Sequence, residues 1–156
     1  PKPAQRPHPP IVIGGGGARR TPRLAAQFGD EFNVFGGINT FNTRKARLLD
    51  ACAAIGRDPS TIKLTTAAVT IVGTDEADLK RRVKIRLDFN HETNDPDEWI
   101  AMMRGDGWLV GTVDQVAEQV NEFKAAGSQR IYFQLVPLDD HGMLDIIAND
   151  VAPKVK

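Results

Sequence analysis

Four consecutive glycines, Gly14, Gly15, Gly16 and Gly17, separate the apolar run Ile11-Val12-Ile13 from Ala18-Arg19-Arg20-Thr21-Pro22. Glycine lacks a Cβ, so such a turn can take positive φ and lets a ligand approach the main chain closely. Thr21 is a good N-cap and Pro22 suits a first helical position, so a helix N-terminus is expected directly after the turn. Free N–H groups at the positive end of a helix favour an anion. Arg19 and Arg20 strengthen the preference for a phosphate. The spacing fits neither the dinucleotide fingerprint nor the P-loop, which needs a Gly-Lys-Ser/Thr ending. The competing reading is a tight turn that needs glycine for shape alone, with Arg19 and Arg20 as solvated surface residues.

Other chemistry-bearing residues are thinly spread. Asp30 and Asn33 flank an expected strand, where they either contact a ligand or simply cap and bond the turn. His8, His91 and His141 lie far apart and show no metal-ligand spacing, so no metal is expected. His141 follows Asp139-Asp140, a trio that reads as a helix cap. Cys52 sits among apolar neighbours and reads as a core residue. Trp99, Met102 and Met103 either line a cofactor pocket or pack a short helix. No Ser–His–Asp set or carboxylate pair can be placed, and the catalytic residues stay unassigned.

The elements that must position these residues alternate between two periods. Ile11–Ile13, Phe32–Phe35, Ile62–Val72 and Arg130–Val136 read as strands, the third being richest in Thr, Val and Ile. Helical spacing covers Arg20–Phe28, about Phe41–Ile55, a stretch capped by Thr74-Asp75-Glu76 and running through Leu79 and Val83 toward Phe89, Thr112–Ala126 and a final stretch to about Val151. Residues 88–108 hold a polar loop and a short helix, Trp99–Met103, and read as an insertion. Residues 1–10 are a Pro-rich lead-in. The expectation is one α/β domain over residues 1–156, four βα units with parallel strands and right-handed crossovers. In such sheets ligands sit at the carboxyl ends of the strands, where the glycine turn would lie.

Composition narrows the classes of function. The 156 residues are 41% hydrophobic and 26% charged, with 20 basic and 20 acidic side chains and no formal net charge. That balance argues against broad electrostatic binding to nucleic acid or an anionic membrane. No apolar stretch approaches the roughly 20 residues that span a bilayer, and no signal peptide is visible. A single cysteine excludes an internal disulfide and suits a reducing, cytoplasmic setting.

The segment from Pro9 to Asn33 resembles the luciferase-like monooxygenase superfamily, above all its branch dependent on the deazaflavin coenzyme F420. Its features there are a strand, a glycine-rich turn, a Leu-Ala-Ala helix and an Ala-Asp-x-Trp-Asn strand. Here Gly29-Asp30-Glu31-Phe32-Asn33 stands for the last. The stretches Ala54–Ile62, Gly111–Glu118 (with Val113 where proline is common) and Gly127–Gln134 extend the likeness. Members are (β/α)8 TIM barrels of about twice this length, so the resemblance implies the C-terminal half of such a barrel. It further implies a fragment whose start, without Met, looks like an interior connection.

By the same resemblance, Gly14–Gly17, Arg19, Arg20 and Thr21 hold the phosphate of F420, or of FMN in the flavin-using branch. The parent reaction is hydride transfer to or from a small organic substrate. The ring pocket belongs largely to the other half, so the fragment alone is expected to be inactive. A non-catalytic phosphate-ligand binding module is the alternative. Two open strand edges and an apolar inner face imply a homodimer or a larger assembly.

Overall fold

The structure, a computed structural model, describes residues 2–156. Its centre is an eleven-residue strand, β3 (Lys63–Gly73), whose β-branched residues suit a sheet covered by helices. Strands β1 (Val12–Gly14), β2 (Glu31–Phe35), β4 (Leu109–Thr112) and β5 (Arg130–Gln134) join it in one sheet, and every pairing is parallel. Helices α1 (Arg20–Phe28), α2 (Ile38–Ala53), α3 (Glu76–Phe89), α4 (Pro96–Gly105), α5 (Val113–Ala125) and α6 (His141–Ile146) make the connections. A π turn over Ile147–Val151 and a 3-10 turn over Ala152–Lys154 carry α6 onward.

Strands β2 and β5 both pair with Thr65–Ala67, so they take opposite edges of β3. The order β1-β2-β3-β5 is therefore that of four neighbouring barrel staves. Strand β4 pairs with Thr70–Gly73, beyond the ends of its neighbours. The four expected βα units are those of β1, β2, β3 and β5, and β4 is an additional short strand placed between β3 and β5 in the chain. Residues 88–108 lead into this extra strand and do not pass directly to a helix at Thr112. Leu109-Val110-Gly111-Thr112 is four residues long and includes a glycine, which leaves too short a pattern to read. Helix α4 is also longer than the stretch Trp99–Met103, because Asp95 accepts from the Asp97 and Glu98 N–H groups and caps it at Pro96.

The chain before β4 is held against the end of β2. Ile38 N–H donates to the Gly107 carbonyl at 3.0 Å, and the Phe35 and Trp108 rings meet edge-on at 5.2 Å. A Cβ on Gly37 would lie 2.1 Å from the Asp106 carbonyl oxygen, so only glycine permits this approach. The helical face of the sheet is a dry core around Phe32, Val34, Leu64, Ala68 and Val72. There Phe41 of α2 and Phe123 of α5 meet with ring centroids 5.6 Å apart.

The opposite face corrects the expectation of an apolar inner surface. Alternation along the strands places Glu31, Asn33, Thr65 and Tyr132 on it. The buried Glu31 carboxylate accepts from Thr65 Oγ1 at 2.7 Å and from the Tyr132 hydroxyl at 3.1 Å, with Arg130 at 3.7 Å. Asn33 donates to the Thr65 hydroxyl at 2.9 Å. Phe35 and Val12 supply its apolar share.

Charge also ties the far end of the fold together. Arg82 of α3 is buried, and it donates to Asp78 at 2.8 Å and to Asp140 at 2.6 Å. Asp140 in turn accepts from Met143 N–H and caps α6, as the sequence reading of that region allowed.

Candidate functional site

Gly14 stands opposite Asn33 in the β1–β2 register, so the glycine turn leaves the sheet at its carboxyl edge. Helix α1 begins at Arg20 with Arg19 as its cap residue and no side-chain cap bond. Thr21 therefore lies inside the first turn, which corrects its reading as the N-cap. The reason is visible in the glycines. A Cβ on Gly17 would come within 2.8 Å of Thr21 Oγ1, and one on Gly15 within 3.4 Å. The Thr21 hydroxyl is lodged beneath the loop, and the loop bends over it with Gly15 at φ +132°. Positions 15 and 17 thus need glycine for shape, as the competing reading held.

Gly16 is different. Its φ lies outside the positive range, and a Cβ there would meet only the Arg44 guanidinium, with Nη2 at 3.4 Å. Arg44 Nη1 donates to the Gly15 carbonyl. This arginine, from the second turn of α2, forms one wall of the site, and the sequence reading did not find it. It lies 28 positions after Gly16, and no local spacing links the two; packing of α1 on α2 does. Gly14–Gly17, Arg19 and Arg20 are all exposed. Among the described residues no carboxylate lies within 4 Å of Arg19, Arg20 or Arg44. An open turn at a helix N-terminus with unpaired guanidinium groups can accept a phosphate without displacing a protein carboxylate.

The remaining candidates lie elsewhere. Asp30 accepts from Ile11 N–H at 2.7 Å, at the end of β1 away from the glycine turn, and His8 approaches it at 3.7 Å. Asn33 belongs to the Thr65–Glu31 network. Both act in turn and sheet bonding. His91 sits after α3 and His141 opens α6, and no group of three or more His, Cys, Asp or Glu that could hold a metal occurs among the described residues. Cys52 is fully buried on α2, and burial pushes its thiol up. Trp99 and Met103 pack α4 into the core, and the Arg86 guanidinium stacks 4.6 Å from the Trp99 ring centre, while Met102 is exposed. No described helix is long and apolar enough to cross a membrane.

Residues 1–130 match the family model for luciferase-like monooxygenase. No curated protein matches the chain. Solved structures do. The coenzyme F420-dependent tetrahydromethanopterin reductase from Methanopyrus kandleri is 15% identical, with a TM-score of 0.66 over 94% of this chain and 51% of its own. The oxygenating constituent of 3,6-diketocamphane monooxygenase from Pseudomonas putida, a type II Baeyer-Villiger enzyme in complex with FMN, is 20% identical. Its TM-score is 0.68 over 96% of this chain and 50% of its own. A monooxygenase from Streptomyces bottropensis is 18% identical, with a TM-score of 0.69 over all of this chain and 51% of its own. Identities this low establish the fold, and the chain spans about half the length of each of these structures.

Proposed function

The chain belongs to the luciferase-like monooxygenase family, and on that premise we propose that it supplies the phosphate-holding part of an F420-dependent oxidoreductase. FMN is the alternative cofactor, since relatives with either fold alike. The observation that carries this reading is the exposed turn Gly14–Gly17 above the Thr21 hydroxyl, with Arg44 beside Gly16. The turn's amides, Arg19, Arg20, Thr21 and Arg44 hold the cofactor's phosphate, and the space that a Cβ at Gly16 would fill is left for it. When bound, the deazaflavin or flavin ring supplies hydride transfer to or from a small organic substrate. The protein's share is to orient that ring by anchoring its phosphate and to keep water from it.

Titration of F420 and of FMN into the chain, read by cofactor fluorescence, is expected to show saturable binding of one in preference to the other. No binding of either would overturn the reading. Because the open polar face carries no catalytic acid or base of evident role, the 156-residue chain by itself is expected to give no steady-state turnover. Turnover with either cofactor would show that the reacting site lies within these residues.

Strands β1 and β5 each keep one unpaired edge in this sheet. Such edges favour pairing with a second copy, and the balanced net charge does not oppose it. Light scattering at micromolar concentration is expected to give the mass of a homodimer or larger. A monomer mass would mean that the polar network around Glu31 is enough to keep the open face in water.

A further inference from the structure

The open face of the sheet is charged only toward its amino end. Glu31 and Arg130 stand there 3.7 Å apart, and both bond the Tyr132 hydroxyl. Continuing the alternation toward the carboxyl end places Phe35, Ala67, Val69 and Gln134 on the same face, none of them charged. This end adjoins the glycine turn. Gly14 stands opposite Asn33, and Phe35 lies two residues further on, about 7 Å along the strand.

One row across the sheet has an unusual composition. Phe35 of β2 pairs with Ala67 of β3, and Ala67 pairs on its other side with Tyr132 of β5. A small residue therefore stands between two aromatic ones. Strands β2 and β5 are two spacings apart, about 9.6 Å. A flat ring in contact with a wall on each side needs about 7–8 Å. The row has room for one such ring and not for a second.

Both walls are fixed in advance. Tyr132 is held by its hydroxyl, which donates to Glu31 at 3.1 Å. The Phe35 ring meets Trp108 edge-on, and Trp108 N–H donates to the Met103 carbonyl at 3.0 Å. A Cβ on Gly107, just before Trp108, would lie 2.5 Å from Ile38 Cγ2, so this turn and the end of β2 fit only without side chains. Phe41 and Phe123, which meet in a comparable edge-on pair in the core, are both fully buried. Phe35 is 49% exposed and Tyr132 42%. The row is thus a rigid pair of rings left open, and rigid walls lose little freedom when a ligand enters.

We propose that Phe35, Ala67 and Tyr132, with Trp108 behind Phe35, form a slot for an uncharged flat ring of the substrate. Gln134, exposed two residues beyond Tyr132, offers its amide to a carbonyl or hydroxyl oxygen on that ring. The substrate class is then a cyclic ketone or enone, or the corresponding alcohol, without carboxylate or phosphate. The proposal deepens the reading of an oxidoreductase whose cofactor is anchored at the glycine turn, and rests on it.

Saturation-transfer NMR on the 156-residue chain tests the slot with three probes: cyclohex-2-enone, benzoate and glucose. The enone is expected to bind at least tenfold more tightly than the charged ring or the polyol. Ala67→Leu, which fills the slot from its floor, and Phe35→Ala, which removes a wall at an exposed position, are each expected to weaken the enone tenfold or more. Both are expected to change F420 and FMN affinity less than twofold. Benzoate or glucose binding as well as the enone, or unchanged enone binding in both folded variants, would overturn the proposal. Equal losses for enone and cofactor would assign the slot to the cofactor's own ring, and a change of mass in light scattering of Phe35→Ala would assign it to a contact between copies; either overturns it. Gly16→Val separates the two readings, since it is expected to weaken the cofactors and leave the enone unaffected. Enone binding by a chain that takes neither F420 nor FMN would overturn the cofactor reading and leave the slot standing.

Discussion

Replacing Gly16 with valine is expected to abolish most cofactor binding while leaving the fold intact. Unlike Gly15 and Gly17, Gly16 has a Cβ direction that points away from Thr21, and its φ is not positive, so the backbone tolerates a side chain there. The branched side chain would project at the Arg44 guanidinium, into the place assigned to the phosphate. Each charge-assisted hydrogen bond lost costs about 1.5–3 kcal/mol. Losing the equivalent of two lowers affinity by roughly a hundredfold or more. Titration of F420 and FMN, with circular dichroism and a thermal melt as the fold control, checks this. Unchanged affinity in a folded variant would remove the phosphate from this turn. Gly17→Val is a poorer test, since its Cβ would collide with Thr21 at 2.8 Å and reshape the loop itself.

The second large effect concerns stability. Arg82 bridges Asp78 on its own helix and Asp140 at the start of α6, and its side chain is 8% exposed. Removing one partner of a buried ion pair typically costs about 3–5 kcal/mol, because the remaining charges stay desolvated and unpaired. Arg82→Ala is expected to fall in that range by urea denaturation, and Arg82→Met to recover only the share owed to packing. A loss below about 1 kcal/mol in Arg82→Met would show that the bridge contributes little.

The same network sets a pH dependence. Partial burial pushes the Asp78 carboxyl up, but bonds from Arg82, Arg81 and the Thr74 amide outweigh this and hold it at about 2, below the ordinary 3.8. A depressed carboxyl contributes stability that is fully present above the unfolded value and is lost as pH falls through the folded one. The contribution therefore fades between pH 3.8 and about 2. An acid titration followed by circular dichroism is expected to show a shallower loss in that window for Asp78→Asn.

Much of this protein is written locally. A β-branched run bounded by Gly73 makes β3, because such side chains suit a covered pleat and glycine ends it. The alternation of short apolar runs with helical spacing determines a parallel α/β sheet, since parallel neighbours require crossovers. Four glycines ahead of a helix place an exposed turn and a helix N-terminus at the sheet's carboxyl edge, because exposed N–H groups and freedom of φ are properties of residues adjacent in sequence. The motifs from Pro9 to Gln134 were enough to indicate the family.

Tertiary structure decided the rest. Strand β4 escaped detection because four residues with a glycine carry no periodic signal; it exists because Thr70–Gly73 extends past β2 and β5 and needs a partner there. Thr21 lost its expected cap role because α1 starts at Arg20, which puts Thr21 inside the first turn with its hydroxyl against the glycine loop. Arg44 entered the site only when α2 packed on α1. Glu31, Thr65 and Tyr132 turned a supposed apolar face polar because register brought three distant strands level. In each case the deciding interaction joins residues whose distance along the chain hides their distance in space, and only packing brings such residues together.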